Sequence, residues 1–540
     1  MPIGLFAIRI DDGRTCVAGQ PAIRNHQLRL KRFLFEGETL RLMGFTVLAK
    51  PLGLATQMLI AAYFGAGHQL DAYAFSLYPI VFFSQSIQRI FSAVAIPQII
   101  KIRQEMDPEE VAGYQNAIIL FFYVPVILGL LSFLVWGNIF VDLVGRQLPP
   151  ETKDYAYRIL RFLALPGILA CLVGLNSSLL NLNKRFRVPA LMPLLNAAVM
   201  LACLVLLHTR LGIWALPVGF AASYLVQTPI IVARAARAGA FTLARPSLPK
   251  GSFRLLWSLS WMVIVSQALL MINSFVDKWF ATGLEVGSIS SINYSMTLIT
   301  FGFQFFSMSL TVVMFTRMSE YFAADNIASC NQYIQTNLVK MTNLVVPVSL
   351  GLFVISPEIV RILFQRGAFD AADAIRTSGT LAMYVLGLPA LVINGVLTKI
   401  FQSLQRLKEK IFLAFQYIAT NIIGNVILVK SLATVGLAIS SSVAINLHLL
   451  LSLVVLHFFR NGLQIQGYTA IIGRAYVMAL VAWVVYSIAG IGPGIERLAD
   501  GQTLIGALFL AISKFVVIIL LYGLQVGIWM KFSKNRISVK

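Results

Sequence analysis

Apolar windows of about 20 residues follow one another almost without a break from residue 42 to residue 530, and that succession leaves few folds open. A window of this length crosses the hydrocarbon of a bilayer as a helix, in which each backbone N–H and C=O is satisfied within the segment. Membrane barrels are built instead from runs of about 10 residues with alternating polarity, a pattern that does not recur here. The windows fall near 42–64, 72–98, 116–137, 157–181, 189–208, 212–235, 255–281, 290–315, 333–355, 378–402, 411–430, 434–459, 468–491 and 503–530. The expected fold class is an all-α polytopic membrane protein with about 14 transmembrane helices. With 58% hydrophobic and 12% charged residues among 540, a soluble multidomain chain is excluded.

A net charge of +21 in a soluble chain would suggest nucleic acid. In a membrane protein it records orientation, because cytoplasmic loops are enriched in Lys and Arg. Lys101 and Arg103, Lys184 and Arg185, Arg234 through Arg254, Arg406 through Lys410, and Lys531 through Lys540 all fall on one side of the alternating windows. Arg29, Lys31 and Arg32 precede the first window on that same side, so both termini are expected in the cytoplasm. Residues 1–41 lack an apolar core followed by a small-residue cleavage site and do not read as a signal peptide. They read as a disordered basic tail, or as an extension upstream of a start near Met43; residues 531–540 read as a second cytoplasmic tail. Cys16, Cys171, Cys203 and Cys330 lie far apart without a CxxC pair, which indicates neither a metal site nor a disulfide framework.

Polar groups inside the windows are unevenly spread. Lys50, Thr56 and Gln57 lie in the first, Gln85, Gln88 and Arg89 in the second, Gln267, Asn273, Asp277 and Lys278 in the seventh, Asn293 and Thr297 in the eighth, and Asn421 in the eleventh. Ionisable groups at bilayer depth face a bundle interior or a wet cavity as a rule, which makes Lys50 and Arg89 functional candidates. Amides have a plainer use, holding neighbouring helices together for less than about 1 kcal/mol each. A faint repeat, Phe64-Gly65-Ala66-Gly67 against Phe280-Ala281-Thr282-Gly283, marks a second half beginning at about residue 255. Polar clusters facing each other from two repeats are the arrangement of a midplane site in an alternating-access transporter. Asn421 and Asn425 share a helix face at i, i+4, and Ser440 to Ser442 follow a short turn at Thr434 to Gly436. With Asp277 they form an oxygen set suited to a hard cation, Na+ or a proton, although packing between helices accounts for the same pair. Lys278 points about 100° away from Asp277 and reads as snorkelling to the membrane surface, whereas Lys340 and Lys514 have no evident place.

Several short motifs carry a resemblance. Phe64-Gly65-Ala66-Gly67 with Asp71-Ala72, Arg89-Ile90-Phe91 leading to Pro97, Asp277-Lys278 with Asn293-Tyr294, Leu363 through Phe369, and Gly436-Leu437-Ala438 together resemble the MurJ/MviN family of lipid II flippases. The family lies within the multidrug, oligosaccharidyl-lipid and polysaccharide exporter (MOP) superfamily, and the match runs over residues 43 to 530. The resemblance implies two pseudo-symmetric six-helix lobes, 42–236 and 255–459, and two C-terminal helices at 468–530 lining a groove for a lipid tail. It implies a polyprenyl-diphosphate-linked glycan carried from the inner to the outer leaflet of a bacterial cytoplasmic membrane by alternating access, without enzymatic chemistry.

Cargo contacts implied by the resemblance fall on Lys50, Thr56, Asp71, Gln88, Arg89 and Thr297. Three of these, Thr56, Gln88 and Thr297, stand where the family has arginines, whose planar donors match phosphate oxygens. The family's sodium site falls on Asp277, Asn421, Asn425, Leu437 through its carbonyl, and Ser441, with Asn425 replacing an acid. The expected cargo is lipid II or the repeat unit of a surface polysaccharide. The alternatives are a drug/cation antiporter of the same superfamily and a non-transporting paralogue. No cofactor is expected beyond Na+ or a proton as coupling ion. Expected partners are the glycan lipid and membrane lipids, with no nucleic acid and a monomeric chain.

Overall fold

The computed structural model describes residues 37–105, 107–239, 244–248, 252–323, 327–404, 406–458, 468–488 and 504–537. Among them the chain is helical and holds no strand. In order the helices are α1 (Gly37–Phe64), α2 (His68–Ile90), α3 (Ile96–Glu105), α4 (Pro108–Val144), α5 (Pro150–Leu182), α6 (Arg187–Leu211), α7 (Ala215–Arg237), α8 (Ser252–Ala281), α9 (Ser288–Ala323), α10 (Ile327–Val354), α11 (Ser356–Phe364), α12 (Ala371–Val385), α13 (Leu388–Ser403), α14 (Leu407–Phe458), α15 (Tyr468–Ile488) and α16 (Leu504–Ile537). The basic tail expected over 1–41 lies outside the described residues as far as residue 36, and Gly37 already begins α1. At the other end α16 carries helix through Ile537, into the stretch read as a tail.

Eight helical segments among the described residues are long and apolar enough to cross a bilayer, or nine if the bent pair α12–α13 is one span. Two of the eight are far too long for one crossing, at 51 residues (Arg187–Arg237) and 49 residues (Lys408–Leu456). Each doubles back. Between α6 and α7 the 3₁₀ turn Gly212–Trp214 reverses the chain, and Asn196 Nδ2 donates to Ser223 Oγ at 3.0 Å across the hairpin. Within α14 the break falls at Ala433 (φ 47°, ψ −128°), one residue ahead of the turn expected at Thr434, and Asn421 Nδ2 then reaches Ser441 Oγ at 2.7 Å. The window at 72–98 is α2 joined to α3 through a five-residue π turn, Phe91–Ala95, placed just before Pro97. A proline lacks the N–H that a regular turn needs, and single widened turns of this kind absorb such a misfit. The window at 378–402 is bent by 44° between α12 and α13, immediately before Pro389.

Helices α1, α2 and α4–α7 pack chiefly on one another, as do α8, α9 and α12–α14; α15 and α16 pack on α10 and on each other. The groups meet where α2 lies along α8 and α9. Leucine, isoleucine and valine cover the outside, among them Leu128 and Leu143 on α4, Ile427 on α14 and Leu524 on α16. Such a surface suits hydrocarbon rather than water. The fold also supplies a partner for Lys514: its Nζ donates to Glu358 Oε1 on α11 at 2.6 Å, in a largely buried pair that ties α16 to the body.

Candidate functional site

At the end of the bundle away from the basic loops, the α1–α2 connection meets the α8–α9 and α11–α12 connections. Ala368 N–H donates to Ala62 O at 2.8 Å, Ala66 N–H to Asp373 Oδ2 at 3.1 Å, and the Tyr294 hydroxyl to Gly65 O at 3.0 Å. Backbone approaches this closely because Gly65 and Gly367 both lie at φ +60°, and a Cβ on either would run into the other segment's carbonyl, of Ala368 and Ala62 respectively. Asp71 completes the seam. Its carboxylate accepts from Gly287 N–H at 2.7 Å, from Ser290 N–H at 2.8 Å and from the Ser290 hydroxyl. A carboxylate from α2 thus occupies the N-terminus of α9, where backbone donors lack intrahelical partners and the helix dipole favours negative charge.

Beneath the seam a cavity of about 1170 Å³ separates α1, α2 and α5–α7 from α8 and α9. It runs from Leu70, Tyr73 and Ser290 beside the seam to Asn181 and Phe186 at the basic end. Lys50 and Gln57 reach it from α1, Gln85 and Gln88 from α2, and Asn293, Thr297 and Gln304 from α9. Lys278 joins them from α8, with Nζ 4.4 Å from the centroid of the Tyr78 ring. Read from sequence as snorkelling, Lys278 instead points into the bundle, because the packing of α2 on α8 offers its ammonium an aromatic face. Among the described lining residues there is no Asp, Glu or Arg.

Of the six residues assigned to cargo, Lys50, Gln88 and Thr297 therefore line this one cavity, the first two from α1 and α2 and Thr297 from α9 across it. Arg89 lies at its edge, with Nη1 donating to Gln267 Oε1 at 3.2 Å and Nη2 to Gln85 Oε1 at 3.5 Å, so that it bridges α2 and α8. Thr56 and Asp71 are elsewhere. Thr56 is buried and turns back to its own helix, donating to Leu52 O at 2.8 Å, and Asp71, 4% exposed, is consumed by the seam. A one-residue offset along a helix rotates a side chain by about 100°, so a span can be right while the facing of one position is not.

The residues assigned to a cation come together. Asp277 from α8 is 3% exposed; Asn425 Nδ2 donates to its Oδ1 at 2.9 Å, the Ser441 hydroxyl to its Oδ2 at 2.6 Å and the Tyr384 hydroxyl to its Oδ2 at 3.2 Å. Asn425 Nδ2 also donates to Asn421 Oδ1 at 2.6 Å. Leu437 is fully buried on α14, one turn before Ser441. Asn425 Oδ1 is buried without a hydrogen-bond donor. Tyr384 escaped the sequence reading, since a tyrosine in an apolar window carries no positional signal.

With this geometry in view, known proteins give a consistent answer. The family model for the lipid II flippase MurJ matches residues 60–494. The chain belongs to the MurJ family. It is 24% identical to the lipid II flippase MurJ of Burkholderia cenocepacia over 472 residues, 82% of this chain and 89% of that one. It is also 24% identical to the probable lipid II flippase MurJ of Vibrio cholerae over 522 residues, 92% of this chain and 97% of that one. A solved lipid II flippase MurJ in an inward closed conformation matches with a TM-score of 0.75 at 21% identity, over 91% of this chain and 100% of that one. An inward-facing multidrug resistance MATE transporter of the MOP superfamily matches with a TM-score of 0.65 at 11% identity, over 75% of this chain and 92% of that one. The MurJ family and the wider superfamily thus share this helical fold.

Proposed function

We propose that this chain is a flippase that moves a polyprenyl-diphosphate-linked oligosaccharide from the inner to the outer leaflet of a bacterial cytoplasmic membrane by alternating access. The observation that carries the reading is the cavity itself: membrane-embedded, sealed at one end, and charged only by Lys50 and Lys278 among its described lining residues. Cations without carboxylates suit a diphosphate and disfavour a cationic drug. The basic loops face the cytoplasm, as do both termini, so the seam is the outer gate and the cargo loads from the inner leaflet. The two lobes expected over 42–236 and 255–459 rock about the cavity, while α15 and α16 line a groove for the lipid tail. Release outward requires the Asp71–Ser290 and Ala62–Ala368 contacts to part.

The coupling ion is Na+ or a proton. A carboxylate buried in a membrane needs neutralising, and Asp277 is surrounded by the Ser441 and Tyr384 hydroxyls and the Asn425 amide, whose Oδ1 is left unpartnered. Asn421, Asn425, Ser441 and the Leu437 carbonyl would hold a bound cation with Asp277, and its charge would offset the carboxylate. Asp277 and Lys278 are neighbours on α8, the first facing this cluster and the second the cargo cavity. Any shift or rotation of α8 that follows ion binding therefore moves a cargo contact.

The test is translocation in vesicles. With the purified protein reconstituted, a fluorescent polyprenyl-diphosphate disaccharide is expected to become accessible on the opposite leaflet. Lys50→Ala combined with Lys278→Ala is expected to slow this by about tenfold or more, equivalent to about 1.4 kcal/mol of barrier. Absence of protein-dependent movement would overturn the reading.

A further inference from the structure

We propose that Gln267 is a positioning residue that keeps Arg89 in reserve for the cargo. In the unloaded protein it clasps α2 to α8, and the diphosphate enters by drawing the guanidinium away from it. The inference rests on the flippase reading and adds how the site is loaded. It starts from the register of two helices. Tyr78, Gln85 and Arg89 recur at i, i+7 and i+11 along α2, which puts them on one face. Gln267 and Lys278 are spaced by the same interval on α8 and share a face as well. The two helices run antiparallel, so these faces meet twice. Lys278 stands against Tyr78 near the seam, and Gln267 against Arg89 about 16 Å further towards the basic end.

The inner contact is built to yield. Arg89 is exposed at the edge of the cavity, and both acceptors it meets are neutral amides, Gln267 Oε1 at 3.2 Å and Gln85 Oε1 at 3.5 Å. The first distance is at the long limit of an N–H···O bond and the second lies beyond it. Neither amide cancels charge, and among the described residues no carboxylate pairs with Arg89, so its positive charge stays available. A phosphate oxygen accepts a shorter, charge-assisted bond about twice as strong, and two such oxygens engage the planar fork together. The diphosphate therefore wins the guanidinium from the amide, whereas a carboxylate at position 267 would keep it. Gln85 lies on the same helix as Arg89 and can follow it; Gln267 lies on α8 and cannot. Loading thus frees α2 from α8 towards the basic end, while Tyr78 against Phe275 and Lys278 still joins them nearer the seam. An amide that merely ties two helices together makes a different prediction. Its loss would leave diphosphate affinity unchanged or lower it, whereas loss of a placeholder raises it.

The probe is farnesyl diphosphate, which carries the diphosphate without a glycan, and its affinity is measured for the full chain in phosphatidylcholine nanodiscs. Gln267→Met, which keeps the length of the side chain and removes the acceptor, is expected to bind it about threefold tighter or more. Gln267→Glu is expected to bind it about tenfold more weakly or worse, because the carboxylate holds Arg89. In an Arg89→Ala background, Gln267→Met is expected to leave affinity unchanged, which shows that the gain acts through the guanidinium. Gln267→Leu carries the same expectation as Gln267→Met should that variant lose its native elution profile. Affinity unchanged or lower in Gln267→Met, undiminished in Gln267→Glu, or raised without Arg89 overturns this inference and leaves the flippase reading standing. No binding of the probe by the unaltered chain overturns it too, and vesicle translocation of the glycan lipid then decides the flippase reading separately.

Discussion

Asp277 and Asp71 are both buried carboxylates, yet their surroundings give them different work. Asp71 is satisfied by backbone N–H groups at a helix end, a fixed structural arrangement. Asp277 is ringed by the movable side chains of Asn425, Ser441 and Tyr384, beside an amide oxygen with no donor. That second setting suits an exchangeable cation. If sodium binds there, it stabilises the folded protein by about 2.7 kcal/mol at a hundredfold excess over Kd. Replacing choline by sodium at constant ionic strength is accordingly expected to raise the unfolding temperature of the purified protein, and Asp277→Asn to abolish the increase while leaving the fold intact. Thermal unfolding in the two salts checks this; a sodium-independent midpoint in the unaltered chain would leave the proton as the coupling ion.

At the scale of elements, the seam joins loops that the chain places far apart. The α1–α2 loop, the N-terminus of α9 and the α11–α12 loop are held by a few hydrogen bonds and by glycines that let backbone meet backbone. Such a contact can open without unpacking a core. Asp71→Asn removes the charge from the α9 N-terminus, an interaction worth about 0.3–1 kcal/mol when exposed and up to about 2 kcal/mol when partly buried. Gly367→Val adds a side chain where the Ala62 carbonyl leaves no space. Both are expected to shift the population towards a conformation open at this end, the valine more strongly. Spin labels at Gln69 and Ile375, which are exposed on either side of the seam, report it as a longer distance distribution; an unchanged distribution in Gly367→Val would show that the seam is not the gate.

For the whole molecule, orientation is the property on which the transport direction depends. With the basic loops inside, a reporter fused after Lys540 is expected to be active only in the cytoplasm, and a cysteine placed at Ile375 to react with an impermeant reagent added from outside. The opposite labelling pattern would reverse the proposed gate. The sequence by itself determined that the chain is a helical membrane protein, roughly where its spans lie, and that Lys50, Asp277, Asn421 and Asn425 merit attention. These follow from local quantities, namely the apolarity of one window and the cost of one ionisable group at depth. Only the tertiary structure decided that Lys278 stands over Tyr78 in the cavity, that Asp71 caps a helix from the other half of the chain, and that Tyr384 completes the Asp277 cluster. Each of those depends on how one helix is rotated against another. Interhelical packing sets that rotation, and an apolar window looks much the same whichever face it turns inward.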